Sequence, residues 1–400
     1  MNMDNIKEAV ASITDEIIAI RRDIHAHPEL GFEEHRTAGL VEKYLQNQGI
    51  KTERVAGTGV VGMIEGGSSG PVLMLRADLD ALPVEEANDV SYCSTSPGVM
   101  HACGHDAHTA ILLGAAKILN EMKDQLPGSI KLIFQPNEEN AGALHMIEEG
   151  VLDNPPVDAV MGLHLWTPLP SGKLGICEGA VMGGLDIFKI LVRGVGGHTG
   201  YPEAAVDPII AAADIVQSAQ RIQTREISLS KPTVIMFGMI NGGTKANIIP
   251  DTVTLEGSIR TLYADSDKEN PMLRLENLAE KVAAVHGCEA EVSWFRENIP
   301  LVNNTELVNI AKASACVVTG CESDITGHFC MASEDFSEFS SRVPGVFIFL
   351  GTGDEKKESH YPHHNPRFNI DEDTIPPGIE LYIRFAMRFF DEWEVKKRNQ

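Results

Sequence analysis

The sequence predicts an α/β protein of two domains: one with a mixed, largely parallel sheet flanked by helices, the other a small inserted β-α-β-β-α-β unit. Three observations lead there. Strand-length apolar runs alternate with helical periodicity through the first half of the chain, which implies a layered fold with a largely parallel sheet. The pattern changes between residues 185 and 295. It then returns to an apolar strand and a long closing helix.

The elements follow in order. The opening "MNMDNIKEAVASITDEIIAIRRDI" is helical and acidic, without the basic start and apolar run of an export signal. "TAGLVEKYLQNQGI" is a helix that Gly49 stops. "PVLMLRADLDALP", "GSIKLIFQPNEEN" and "VDAVMGLHL" are buried strands that turn polar at their ends, and "GHDAHTAILLGAAKILNEMKDQL" is a helix. From 185 the order is strand "LDIFKILVRGVGG", helix "VDPIIAAADIVQSAQRIQTR" opening at Asp207-Pro208, strands "TVIMFGMING" and "DTVTLEGSIRTL", helix "NPMLRLENLAEKVAAVHGC" and strand "EAEVSWF". That order is ferredoxin-like. "VPGVFIFLGTG" and "PPGIELYIRFAMRFFDEW" return to the first domain. The domains are therefore placed at 1–184 with 296–400, and at 185–295.

Composition narrows the function. The 400 residues are 43% apolar and 22% charged, values of a packed globular chain, and no stretch approaches the ~20 apolar residues of a membrane helix. A net charge of −24 argues against nucleic acid or an anionic membrane as partner, since phosphate binding needs clustered Lys and Arg. It still allows an anionic small substrate held by one or two local cations. Seven cysteines, odd in number and without CxxC pairing, fit reduced thiols in a cytoplasm.

The chemistry concentrates at the strand ends, where open α/β sheets bind ligands. One strand leads to Asp78 and Asp80, a second to Glu138 and Glu139, a third to His164. The last apolar strand leads into "HYPHHNP", with His360, His363 and His364, of which at most one is expected to be a ligand. "MHACGHDAH" adds Cys103 and His105 at a loop-to-helix junction, where Gly104 allows both to face one ion. Thiolate and imidazole suit zinc and other late divalent metals. Of the adjacent glutamates, one can bind metal while the other takes a proton from the water that the metal acidifies. His101 and His108 are expected in structural or supporting roles, and Asp106 as a hydrogen-bond partner of a ligand histidine.

At these residues the sequence resembles the metal-dependent amidohydrolase branch of the aminoacylase and glutamate-carboxypeptidase superfamily, which holds hippurate hydrolases, indole-3-acetyl-amino-acid hydrolases and N-acetyl-diaminopimelate deacetylases. The resemblance runs nearly end to end, through "RRDIHAHPELGFEE", "RADLDALP", "MHACGHDAHTA", "QPNEE", "GLHL", "GVGGHTGYPEAAVDPI", "NIIPDTVTLEGSIRT", "ASEDFS" and "HHNPRFNIDE". It implies hydrolysis of an amide bond in an N-acyl amino acid or small peptide. By the resemblance, Cys103, His105, Glu139, His164 and His364 bind two divalent ions (Zn, Mn, Co or Ni). His364 is chosen because the ligand in that motif stands two residues before the proline, here Pro366. Glu138 is the general acid/base, and Asp80 matches a supporting aspartate of the wider superfamily. That superfamily has a metal-binding histidine where this chain has Asp78. The inserted domain is similar to the family's lid and dimerisation domain, so a homodimer or higher homo-oligomer is implied. His198 would be the lid histidine that stabilises the oxyanion, and Asn247 and Arg260 would hold the substrate carboxylate. One departure bears on substrate choice: Glu203 follows Pro202 where family members often carry histidine.

Two other classes fit part of the pattern. A cysteine-nucleophile amidase would pair Cys103 with His105, but leaves Glu138, Glu139 and His164 without a task. A non-catalytic metal- or ligand-binding protein would have no need of Glu138.

Overall fold

The computed structural model describes residues 5–263 and 269–398; the first four residues of the acidic opening lie outside them. The chain forms two compact units. The larger takes Met1–Val181, Val302–Phe329 and Asp335–Gln400, and the smaller Met182–Leu301 and Cys330–Glu334.

The larger unit is built on an eight-stranded sheet. Its strands lie in the order Lys51–Val55, Gly59–Ile64, Ser129–Gln135, Val72–Asp78, Ala159–Pro170, Gly345–Gly353, Leu174–Gly175 and Ile325–Thr326. The four long inner strands from Ser129–Gln135 to Gly345–Gly353 run parallel. Gly59–Ile64 runs antiparallel to its neighbour. Inner strands covered on both faces are buried along their length rather than at alternate positions, and Val72–Asp78 is buried at every position. Helices Ile6–Ala26, His105–Glu121 and Ile375–Arg398 pack on one another and share one apolar core with the sheet.

The helix His105–Glu121 starts where it does because Gly104 takes a left-handed φ of 95° at its N-cap, a conformation that costs a side-chain-bearing residue dearly. The helix Thr305–Thr319 was not anticipated from the sequence. Asn304 caps it by accepting from the backbone N–H groups of Glu306 and Leu307, and Gly320 closes it at φ 70°.

The smaller unit has its own core. Its antiparallel sheet runs in the order Thr233–Gly242, Thr252–Thr261, Gly184–Arg193, Glu289–Asn298. Helices Pro208–Arg221 and Pro271–Val285 share that core, capped by Asp207 and Asn270. The chain order is β-α-β-β-α-β. Among the described residues no helix is long and apolar enough to cross a membrane.

Gly162 lies on the strand that delivers His164, paired with Phe347 and Arg76. A Cβ there would stand 2.9 Å from both Phe336 and Phe347. Both rings are fully buried. Gly162→Ala is therefore expected to lower stability by about 1–3 kcal/mol, read as a shift of the urea unfolding midpoint; an unchanged midpoint would show that the two rings can yield.

Candidate active site

The parallel strands of the larger unit end together, and the ligand-type side chains gather there. Asp80 follows the strand Val72–Asp78. Glu138 and Glu139 form a single 3-10 turn after the strand Ser129–Gln135, His164 lies within Ala159–Pro170, and His105 opens its helix. His364 takes a left-handed φ of 65°, and its N–H donates to the carbonyl of Ala102 at 2.8 Å, which ties its loop to the segment carrying Cys103.

Three sets of donors meet there. Ligand atoms of Cys103, His105 and His164 lie within 4.8 Å of one another, as do those of Cys103, Glu139 and His364, and those of His105, Glu138 and Glu139. Cys103 Sγ stands 3.5 Å from His164 Nε2, and His364 Nε2 stands 3.2 Å from Glu139 Oε1. His105 Nε2 is 3.9 Å from Glu138 Oε2.

The imidazoles are turned for metal binding. His105 Nδ1 faces the Asp80 carbonyl at 2.9 Å and its carboxylate at 3.1 Å, and His164 Nδ1 faces the Leu165 carbonyl at 2.7 Å. A carbonyl only accepts, so Nδ1 carries the proton in both rings and the Nε2 lone pair of the neutral ring points inward. Among the described residues, the buried His105 Nε2 has no hydrogen-bond partner. An orphaned imidazole nitrogen beside a thiol, a second imidazole and carboxylates is what a borderline divalent ion would satisfy, so these residues fit such a group.

The charges agree. Against burial, Asp78, the Cys103 thiol and Asp80 hold His105 well above the usual histidine range. Hydrogen bonds to Cys103 and Glu139 raise His364 to about 10. Burial, with the neighbouring His108 and His363, pushes His164 well below its ordinary value.

Behind the donors lies a buried polar layer that sequence reasoning missed. Arg76, fully buried, donates to Asp78 Oδ2 at 2.7 Å, to Gln135 Oε1 at 2.8 Å and to Asp335 Oδ1 at 3.2 Å. Asp335 also accepts from Gln135 and from the Ala143 N–H. Asp78 accepts from His108 Nδ1 at 2.7 Å, and His108 Nε2 accepts from the Leu165 N–H at 2.9 Å. Both nitrogens of His108 are therefore used by the protein, which gives it a supporting place next to His164. Despite its burial, Asp78 is held well below the carboxylate range by His105, His108 and Arg76. The available sequence signal was Arg76 itself, a cation inside the apolar run "VLMLRAD".

One expectation is corrected. Asp106 lies against His25 rather than against His105 or His164; its Oδ2 forms an ion pair with Arg21 Nε and accepts from His25 Nδ1, both at 2.7 Å. One position beyond His105 on the helix, it points toward the N-terminal helix, and Asp80 takes the partner role. His101 is buried, and among the described residues neither of its ring nitrogens has a hydrogen-bond partner. His363 donates to the Leu165 carbonyl, and His360 is exposed and stacks on Tyr361. His198, Asn247 and Arg260 belong to the smaller unit. There His198 Nδ1 accepts from the Gly200 N–H, the Asn247 carbonyl accepts from the Thr199 N–H at 3.4 Å, and Arg260 donates to the Met331 carbonyl.

Fold and donor set together define a metal-dependent hydrolase of the α/β class. The chain belongs to peptidase family M20/M25/M40, whose model matches residues 74–388, and it is a hydrolase of amide C–N bonds. It is 40% identical over 394 residues to thermostable carboxypeptidase 2 of Saccharolobus solfataricus, covering 97% of this chain and 98% of that one. It is 38% identical over 396 residues to N-acetyl-L-cysteine deacetylase of Bacillus subtilis, covering 97% and 91%. Among solved structures, a dinuclear metal-binding M20 peptidase of Bacillus subtilis superposes with a TM-score of 0.83 at 32% identity, covering 95% of this chain and 99% of that one.

Arg76 is the cation shared by two buried carboxylates, so Arg76→Leu deprives Asp78 and Asp335 of that charge. The expected loss is about 3–5 kcal/mol of stability, measured by denaturant unfolding. A loss below about 1 kcal/mol would mean that the site does not depend on this charge.

Proposed function

We propose that the chain hydrolyses the amide bond of N-acyl amino acids or small peptides, with Cys103, His105, Glu139, His164 and His364 holding two divalent ions and Glu138 as general base. The observation that carries this reading is the inward Nε2 of His105, buried and orphaned, with the Glu138 carboxylate 3.9 Å away. Cys103, His105 and Glu139 each belong to two of the three donor sets named above, which links the sets into one cluster. A divalent pair at these residues would supply an acidified water and polarise the scissile carbonyl. Glu138 takes the proton of the attacking water and returns it to the leaving amine. Asp80 keeps His105 in the tautomer that leaves Nε2 available.

The roles of the smaller unit rest on the family resemblance: a ferredoxin-like lid and dimerisation domain, His198 as donor to the oxyanion, and Asn247 and Arg260 toward the substrate carboxylate. Self-association has one further support. Thr233–Gly242 is an edge strand on which Met236, Met239 and Ile240 are exposed, apolar side chains that solvent-facing edges ordinarily avoid. The carboxypeptidase and deacetylase names of the relatives support both peptide and N-acyl substrates.

The thiol-nucleophile alternative fares worse. Burial and the neighbouring Glu139 raise the Cys103 thiol above its ordinary value, the reverse of what an activated nucleophile needs.

Two outcomes are expected. Glu138→Gln keeps its full metal content, measured by elemental analysis, and loses at least about 1,000-fold in kcat; wild-type turnover in that variant would remove Glu138 as the base. Chelation abolishes amide hydrolysis and added divalent metal restores it. Activity that survives complete metal removal would transfer the chemistry to Cys103.

A further inference from the structure

The segment Glu29–Glu34, in "HPELGFEE", takes no part in the chemistry proposed above, yet it grips the turn that carries Glu138. Leu30 bridges to Ala81, and the Ala81 N–H donates to the Glu29 carbonyl at 2.8 Å, which fixes the segment one residue beyond Asp80. Phe32 packs its ring edge-on against His145 in the helix that follows the turn. Gly31 lies so close that a Cβ there would stand 1.8 Å from Asn137 Oδ1.

The main contact is Glu34. Fully buried, it accepts the Asn137 N–H on Oε1 at 2.9 Å and the Thr58 hydroxyl on Oε2 at 2.5 Å. Asn137 is left-handed at φ 52° and ψ 45°, and Ala141 on the far side of the turn is left-handed at φ 63°. Such backbone persists only where its surroundings enforce it. On the other side of Glu138, the Glu139 N–H donates to Asp80 Oδ2 at 3.1 Å. Two carboxylates from separate parts of the chain therefore hold the peptide N–H groups immediately before and after Glu138. Burying a carboxylate to accept one N–H and one hydroxyl is costly for a purely structural turn, because a neutral acceptor would serve. Burial and the nearby Asp80 indeed push the Glu34 carboxyl up.

We infer that Glu34 is a positioning residue of the hydrolytic reaction: by holding the Asn137 N–H it fixes the backbone from which Glu138 reaches the attacking water. The inference rests on Glu138 being the base. It concerns direction and reach, so its signature lies in kcat rather than in substrate affinity or metal content.

The test is steady-state kinetics on metal-loaded full-length Glu34→Ala and Glu34→Gln, with metal content measured on the same samples. Glu34→Ala is expected to lower kcat about 100-fold, the scale of a misplaced catalytic group, with KM within about threefold and two ions retained. Glu34→Gln still offers an amide oxygen to the Asn137 N–H and is expected to recover at least about tenfold of that loss. An unchanged kcat in Glu34→Ala, a fall that tracks lost metal, or a Gln variant no better than Ala each overturns the inference. Should Glu34→Ala fail to fold, Thr58→Val releases only the second tether of Glu34 and is expected to cost several-fold in kcat at constant metal content; no change there overturns it equally. Wild-type turnover in Glu138→Gln would instead defeat the base assignment, whatever Glu34 does.

Discussion

Asp80 is the residue on which the site turns. One of its carboxylate oxygens takes the Nδ1–H of His105 and the other takes the backbone N–H of Glu139. A single buried side chain therefore sets the tautomer of one inner imidazole and the position of the acidic turn. It can do both because it leaves the central strand Val72–Asp78 between the strands that lead to the other donors. Its place in the sheet is fixed by parallel pairing on both sides.

Around that contact the donors are held to different degrees. His164 lies within a strand and is backed by the Leu165 carbonyl and by His108. Cys103 and His105 stand where Gly104 turns the chain into a helix. His364 is the most exposed, with 53% of its side chain accessible, and its loop is tied back through a backbone hydrogen bond to Ala102. The ligand-type side chains thus run from a buried interior at His105 and His164 to a solvent-facing edge at His364.

The buried charges explain why so much polar structure stands behind the donors. Asp78 and Asp335 share Arg76, and Gln135 completes the group just before the acidic turn. A carboxylate in a low-dielectric interior needs a fixed partner, and a partner that is itself buried holds still. The network therefore stiffens the ends of two adjacent strands together, and both ends carry residues of the site.

The sequence by itself determined a good deal. Unalternated apolar runs marked the inner strands, because only strands covered on both faces can be apolar throughout. Polar residues at the end of each run, with the CxH pair around Gly104, picked out where donors would meet. The single cation Arg76 in an apolar strand and the capped helix Thr305–Thr319 were legible too, although their significance was not read. Tertiary structure decided the partners. Whether Asp80 or Asp106 holds His105 depends on which way a helix turn faces once the N-terminal helix has packed, and periodicity does not encode that. The grip of Glu34 on Asn137 joins segments far apart in sequence through one backbone hydrogen bond. No local preference specifies such a bond, because it exists only after both segments have docked on the same end of the sheet.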